Sequence, residues 1–243
     1  MNCSWPAWKK SCKGGKKMQR LLGEMRKADQ AYGLIQPGDR ILVGVSGGKD
    51  SLVLCALLSA YRRFAPHPFS LHAVCLKIGD PFDTGKIAAW MAEMDIPFTL
   101  VEEDFLPRLE KEKSPCALCA RLRRGILLHQ AELLSCNKLA LGHHRDDVME
   151  TYLMSTVFEG RFYALQPIRQ METGRISVIR PLIDMKEGSI AALAQRLQLP
   201  VMKNPCPVDG RTKRQDMKQA LRDLEKRFPG ALDHFQSALQ KER

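Results

Sequence analysis

The chain has no long hydrophobic run. Its longest uncharged apolar stretches are of strand length, far short of the roughly 20 residues that a membrane-spanning helix needs. The N-terminus, MNCSWPAWKKSCKGGKK, lacks the apolar core of a secretory signal, so a cytoplasmic protein is expected. No internal repeat or low-complexity tract is present, which argues against a repeat array. The Walker arrangement of glycine, four residues and Gly-Lys-Ser/Thr is also missing. What remains is a chain of 243 residues, enough for one α/β domain with appendages and a sizeable core. A second full domain is not expected.

Charge is unevenly placed. Residues 1–27 hold eight Lys/Arg against one acid, and residues 203–243 hold ten against six, so the ends carry the whole formal net charge of +11. The centre, 28–202, is neutral. Basic flanks on a neutral, enzyme-like centre suit a protein that docks a polyanion through its periphery, and a solvated basic tail is the plainer alternative. There are eight cysteines, at 3, 12, 55, 75, 116, 119, 136 and 206. With no secretion signal, metal or redox chemistry is favoured over a disulfide framework.

The stretch Ile41–Ser51, ILVGVSGGKDS, organises the chain. An apolar run ends in a glycine turn and leads into an apolar-periodic segment, which reads as buried strand, turn and helix start. That arrangement offers backbone N–H groups and a helix N-terminus to a phosphate. Gly47 and Gly48 let the backbone approach an anion closely, while Ser46, Lys49 and Ser51 add donors and positive charge. Helices are expected over Lys16–Tyr32, Leu52–Phe64, Thr84–Met94, Leu118–Leu134, Val148–Phe158, Lys186–Leu197 and Lys213–Phe228. Strands are expected at Phe69–Leu76, Pro97–Val101 and Lys138–Gly142, with a hairpin over Leu165–Pro181 and the acids Glu102, Glu103 and Asp104 behind the third strand. The strand at 138–142 stops at His143-His144-Arg145-Asp146-Asp147. In an open parallel sheet this polar cluster and the SGGKDS turn share one edge, and hence one crevice.

Cys116-Ala117-Leu118-Cys119, followed by Arg121, Arg123 and Arg124, places two thiols at a helix start where both can face one centre. Alone the pair supports zinc, iron-sulfur or dithiol exchange. Cys206, in the constrained loop Asn204-Pro205-Cys206-Pro207, is the best partner, whereas Cys55, Cys75 and Cys136 fall in apolar runs and read as core.

SGGKDS resembles the signature of the PP-loop ATP pyrophosphatases, which cut ATP between its α and β phosphates and adenylate a substrate. With PCALCARLRRGIL, LALGHHRDDVMET, Arg180-Pro181-Leu182 and the Cys206 to Arg214-Gln215 loop in the same order, the chain from about Arg20 onward is similar to the tRNA 2-thiocytidine synthetase family. One departure is that Lys203, Asn204 and Pro205 stand where that family often has a further cysteine. The resemblance implies a Rossmann-like open parallel sheet with helices on both faces, an N-terminal helix and a C-terminal helical extension. The expected division is a basic tail and helix over 1–33, an ATP-binding domain over 34–201 and a cysteine loop and helix over 202–243. It further implies ATP, Mg²⁺ and a [4Fe-4S] cluster as cofactors, with Cys116, Cys119 and Cys206 as cluster ligands. The nucleotide set would be Ser46, Gly47, Gly48, Lys49, Asp50, Ser51, Gly142 and His143, and the catalytic set Asp50, Asp146, Asp147 and Arg123. Partners would be tRNA and a sulfur donor such as a cysteine desulfurase or other sulfide source, with a homodimer allowed. The plainer alternative for Asp50, Asp146 and Asp147 is a helix cap or first-turn acid; for the arginines it is a solvated helix face. A lysidine-type ligase, thiolation of another base and a zinc-stapled RNA-binding protein are the competing functions.

Overall fold

The computed structural model describes residues 15–78, 84–105, 109, 112, 115–172, 174–202 and 213–241. Its sheet comprises β1 (Arg40–Val45), β2 (Ser70–Ile78), β3 (Phe98–Glu103), β4 (Lys138–Ala140), β5 (Ile168–Gln170) and β6 (Ser177–Ile179), in the order β3-β2-β1-β4-β6-β5. All neighbours pair in parallel except β5 with β6, which close the expected hairpin. The helices are α1 (Gly15–Tyr32), α2 (Lys49–Tyr61), α3 (Gly85–Glu93), α4 (Pro115–Leu133), α5 (Arg145–Glu159), α6 (Glu187–Arg196), α7 (Lys213–Arg227) and α8 (Ala231–Lys241). No helix among the described residues is long and apolar enough to cross a membrane.

The sheet is covered on both faces, which is why β1 reads as a continuous apolar run. On one face α2 lies in a core with Leu21 and Met25 of α1 and Ile190 and Leu193 of α6. α2 is apolar all round because it is enclosed all round, not amphipathic. On the other face α4 sets Leu127 and Leu128 against Leu42, Val74 and Leu139. A Cβ on Gly44 would lie 3.1 Å from both Leu127 Cδ1 and Leu141 Cδ2, so a glycine in β1 is what lets α4 come so close. A further cluster joins Val148 and Met149 of α5 to Leu221 of α7 and Leu239 of α8. Cys55, Cys75 and Cys136 are buried, as their apolar settings predict.

The chain order reverses across β1 and β4: β2 and β3 build outward on one side and β4, β6 and β5 on the other. In an open α/β sheet the crevice at such a reversal is where ligands bind, outside the strands' C-terminal ends. Three local details differ from the sequence reading. α2 starts at Lys49, not Leu52, so Lys49, Asp50 and Ser51 form its first turn. Glu102 and Glu103 lie inside β3, where Lys77 of β2 bonds Glu102. α8 follows Gly230, whose φ of 89° ends the preceding turn in a conformation that only glycine adopts freely; this short helix is held by packing rather than by its own propensity.

Candidate active site

At the C-terminal end of β1 the glycine turn is braced from within. Ser51 Oγ accepts from the Ser46 N–H at 3.2 Å and donates to the Gly48 carbonyl at 3.0 Å, while Ser46 Oγ accepts from the Gly48 N–H at 3.3 Å. Gly47 has φ of 77°, which favours glycine. Its carbonyl accepts from the Met202 N–H at 2.9 Å, so the turn is tied to the segment that leads into the Cys206 loop. Gly142, just past β4, comes closer still: a Cβ there would meet the Asp50 carbonyl carbon at 3.0 Å and the Ser51 nitrogen at 3.1 Å. The chain just past β4 therefore touches the first turn of α2 through a residue with no side chain.

The His143–Asp147 cluster closes the crevice from the β4 side. His144 caps α5: its Nδ1 accepts from the Asp147 N–H at 3.4 Å and its own N–H donates to Asp147 Oδ2 at 2.9 Å. Arg214 of α7 bonds Asp147 Oδ1 at 2.8 Å. Burial works to raise the Asp147 pKa, but His144, His143 and Arg214 outweigh it and hold the carboxyl below its usual range. Asp146 Oδ2 accepts the Glu187 N–H at 2.8 Å and thus serves the start of α6, whose own cap residue Lys186 makes no side-chain cap. Asp50 differs from both. Its Oδ2 meets Lys49 at 3.1 Å, but its buried Oδ1 accepts no hydrogen bond among the described residues.

His143 Nδ1 accepts from Arg180 Nε at 3.2 Å. Since arginine can only donate, the ring carries its proton on Nε2. Burial above all pushes the His143 pKa down to about 4, with Asp147 opposing and Arg180, Arg214 and His144 adding to the fall. The imidazole is therefore neutral near pH 7. Lys49 is gripped from two sides, by Asp50 and by Glu187 Oε1 at 3.0 Å, and Lys218 of α7 bonds the same Glu187 at 2.7 Å. Burial disfavours the Lys49 charge, yet Asp50 and Glu187 outweigh it and raise the pKa. Glu187, despite its burial, is held down to about 2 by the two lysines.

α4 begins at Pro115 on the same sheet edge, with Cys116 exposed and Cys119 packed against Leu76 and Ile78 at the end of β2. Of the three arginines, Arg121 and Arg124 face solvent, whereas Arg123 turns inward. Its Nε is buried without a hydrogen-bond partner among the described residues, and its charge acts on the thiol of Cys75, the residue paired with Val45 directly before the turn. No three His, Cys, Asp or Glu side chains converge in metal-binding geometry among the described residues. Cys206, the expected third cluster ligand, lies outside the described residues.

The chain matches the PP-loop domain over residues 16–224. It is 37% identical over 238 residues to a tRNA-cytidine(32) 2-sulfurtransferase of Neisseria meningitidis, covering 96% of this chain and 75% of that protein. A tRNA-cytidine(32) 2-sulfurtransferase of Xanthomonas euvesicatoria is 38% identical over 231 residues, covering 93% and 75%. The chain belongs to the PP-loop family of tRNA-cytidine 2-sulfurtransferases. Its fold is shared with the U34-tRNA thiolase NcsA of Methanococcus maripaludis, solved with its [4Fe-4S] cluster: the TM-score is 0.77 at 23% identity, over 94% of this chain and 79% of that one.

Within this PP-loop sulfurtransferase, sequence reasoning brought the glycine turn and the His-Asp cluster to one edge, where the structure has them, and the structure adds the start of the CxxC helix beside the end of β2. It did not find Glu187 or Lys218, and it gave no role to Arg180 or Arg214. Arg180 and Arg214 fall in segments that carried the family resemblance. Glu187 and Lys218 had no local signal, because a first-turn glutamate and a helix lysine are ordinary surface residues until the fold brings them together.

Proposed function

We propose that this chain is an ATP-dependent tRNA sulfurtransferase of the cytoplasm, acting on a cytidine that the relatives' name places at position 32. The observation that carries the reading is a shared edge: the PP-loop turn and the start of the CxxC helix both lie at the C-terminal ends of the parallel strands, in a chain 37% identical over 238 residues to such an enzyme. The cytosine C2 carbonyl is a poor electrophile with a poor leaving group. Its oxygen attacks the α-phosphorus of ATP and pyrophosphate departs; sulfur then adds at C2 and the oxygen leaves with AMP.

The turn N–H groups and Lys49 suit the departing pyrophosphate. Asp50, with a buried oxygen that accepts no hydrogen bond among the described residues, fits a Mg²⁺ ligand, and the ion would neutralise charge between carboxylate and phosphates. Asp146 and Asp147 hold α6, Arg214 and the crevice wall in place beside it. His143, neutral and protonated on Nε2, donates a hydrogen bond without adding charge. Arg123, whose charge reaches the Cys75 thiol beside the end of β1, would supply a counter-charge for phosphate. An exposed thiol at a helix N-terminus with a second one turn later suits soft-metal ligation. Cys116, Cys119 and Cys206 would hold the [4Fe-4S] cluster, which supplies an iron open to sulfur when bound. The described chain on either side of the Cys206 loop supports that set, because Met202 bonds the PP-loop turn and Arg214 bonds Asp147. Sulfur would come from a cysteine desulfurase or other sulfide source.

The test is anaerobic reconstitution with iron and sulfide, then incubation with ATP, Mg²⁺, sulfide and unmodified tRNA. Nucleoside mass spectrometry should show 2-thiocytidine, formed with pyrophosphate. A lysine adduct on cytidine, or a colourless zinc protein that binds tRNA without releasing pyrophosphate, would reject the reading.

A further inference from the structure

Away from the nucleotide turn, α5 and α8 enclose an open groove of about 740 Å³ between Tyr152, Phe162, Gln166, His234, Phe235 and Lys241. Phe162 is 83% exposed, a large apolar surface left in water. It is not randomly placed: its ring lies 6.1 Å from that of Tyr152 at only 14° between planes, and Phe235 meets Tyr152 edge-on at 5.5 Å. The result is a flat aromatic shelf, one face of which is open. Polar edges surround it in Gln166, His234 and Ser237, Lys241 adds a cation, and no acidic side chain lines it among the described residues. Next to it, Lys213 lies 4.4 Å above the exposed ring of Phe158, while Arg161 covers Tyr163 and pairs with Glu159.

The groove is joined to the crevice by one side chain. Arg180 donates to the Gln166 carbonyl at 2.6 Å and to His143 at 3.2 Å, so a wall residue of the groove and the crevice histidine share one guanidinium. We infer that the Phe162–Tyr152 shelf takes an unstacked base of the tRNA, a neighbour of the cytidine under modification, with Lys241 near the adjoining phosphate. This rests on the tRNA reading above. A base whose C2 oxygen is to meet ATP must leave its stack, and its neighbours lose stacking partners that an aromatic shelf can replace. A flat ring with polar rims and positive charge matches a nucleobase and phosphate better than it matches an apolar partner surface.

The probe is an unmodified tRNA transcript, bound at several salt concentrations to wild type, Phe162→Ala, Phe162→Trp and Lys241→Ala. Phe162 is on the surface, so its replacement should not disturb folding. Loss of one stacked base should weaken tRNA binding between about 5-fold and about 150-fold in Phe162→Ala. The salt slope and ATP affinity should stay unchanged, and Phe162→Trp should restore binding. Lys241→Ala should instead lower the log–log salt slope by about one. Wild-type tRNA affinity in Phe162→Ala, with wild-type protein that binds and thiolates tRNA, overturns the shelf alone. Failure of the wild type to bind tRNA overturns the shelf and the sulfurtransferase reading together. A sedimentation shift from dimer to monomer in Phe162→Ala would assign the face to a second copy of the chain, and overturns it too.

Discussion

Glu187 holds Lys49 at 3.0 Å across 138 residues of sequence, and through Lys218 it ties the phosphate turn to α7. The lysine of the turn is thus aimed by a carboxylate from α6, the helix packed beside α2 on the same face of the sheet, and braced by α7. Removing the carboxylate alone should test that arrangement. Glu187→Gln should slow ATP-dependent pyrophosphate release by about tenfold, roughly 1.4 kcal/mol in the barrier, with the far-UV circular dichroism unchanged. Lys49→Ala should abolish release. A Glu187→Gln enzyme as fast as wild type would mean that Lys49 needs no partner.

Gly142 should tolerate no side chain. A methyl group there meets the Asp50 backbone at 3.0 Å, where neither strand end nor helix start can yield cheaply. Gly142→Ala should cost about 1–3 kcal/mol of stability, the usual range for overpacking, and weaken ATP binding. Gly125→Ala is the control: no heavy atom lies within 4 Å of a Cβ at that position in α4, and helix propensity favours alanine by about 1 kcal/mol. Equal melting temperatures for the two variants would contradict the close approach.

Glu150 should make the protein less stable as pH rises. Burial pushes its carboxyl up to about 7, with Asp147 adding to the shift and Arg214 and Lys218 opposing. Between its ordinary value near 4.5 and about 7 the folded chain keeps a proton that the unfolded chain releases, so stability falls across that window as pH increases. Glu150→Gln keeps the shape and removes the titration. Its melting temperature should vary less than that of wild type between pH 5 and 8 and exceed it at pH 8, by up to about 3 kcal/mol of stability. Parallel pH curves for the two proteins would show that Glu150 is ionised throughout.

Iron content should separate the cysteines. After anaerobic reconstitution, Cys116→Ser, Cys119→Ser and Cys206→Ser should lose the brown chromophore and tRNA thiolation. Cys75→Ser and Cys136→Ser, whose thiols are buried in the core with raised pKa values, should keep iron even if they melt earlier. Full iron in Cys206→Ser would remove it from the ligand set.

Much of this protein can be read along the chain because its signals are local. A glycine turn between an apolar run and a helix start states its own conformation, as ILVGVSGGKDS does, and the hairpin around Gly174 and the CxxC at a proline-led helix do likewise. The sharing of one edge by the turn and the histidines also followed, since parallel crossovers put every strand's C-terminal end on one side. The tertiary structure decided which charges meet. Asp146 and Asp147 look alike in sequence, yet one serves the start of α6 and the other bonds Arg214, while Asp50 keeps a buried oxygen without a hydrogen bond among the described residues, 3.8 Å from His144 Nε2. Glu187, Lys218 and Arg180 enter the site only because α6, α7 and the segment after β6 pack over the crevice. Periodicity records which face of an element is buried, but a charge pair made between elements distant in sequence leaves no pattern in either segment that forms it.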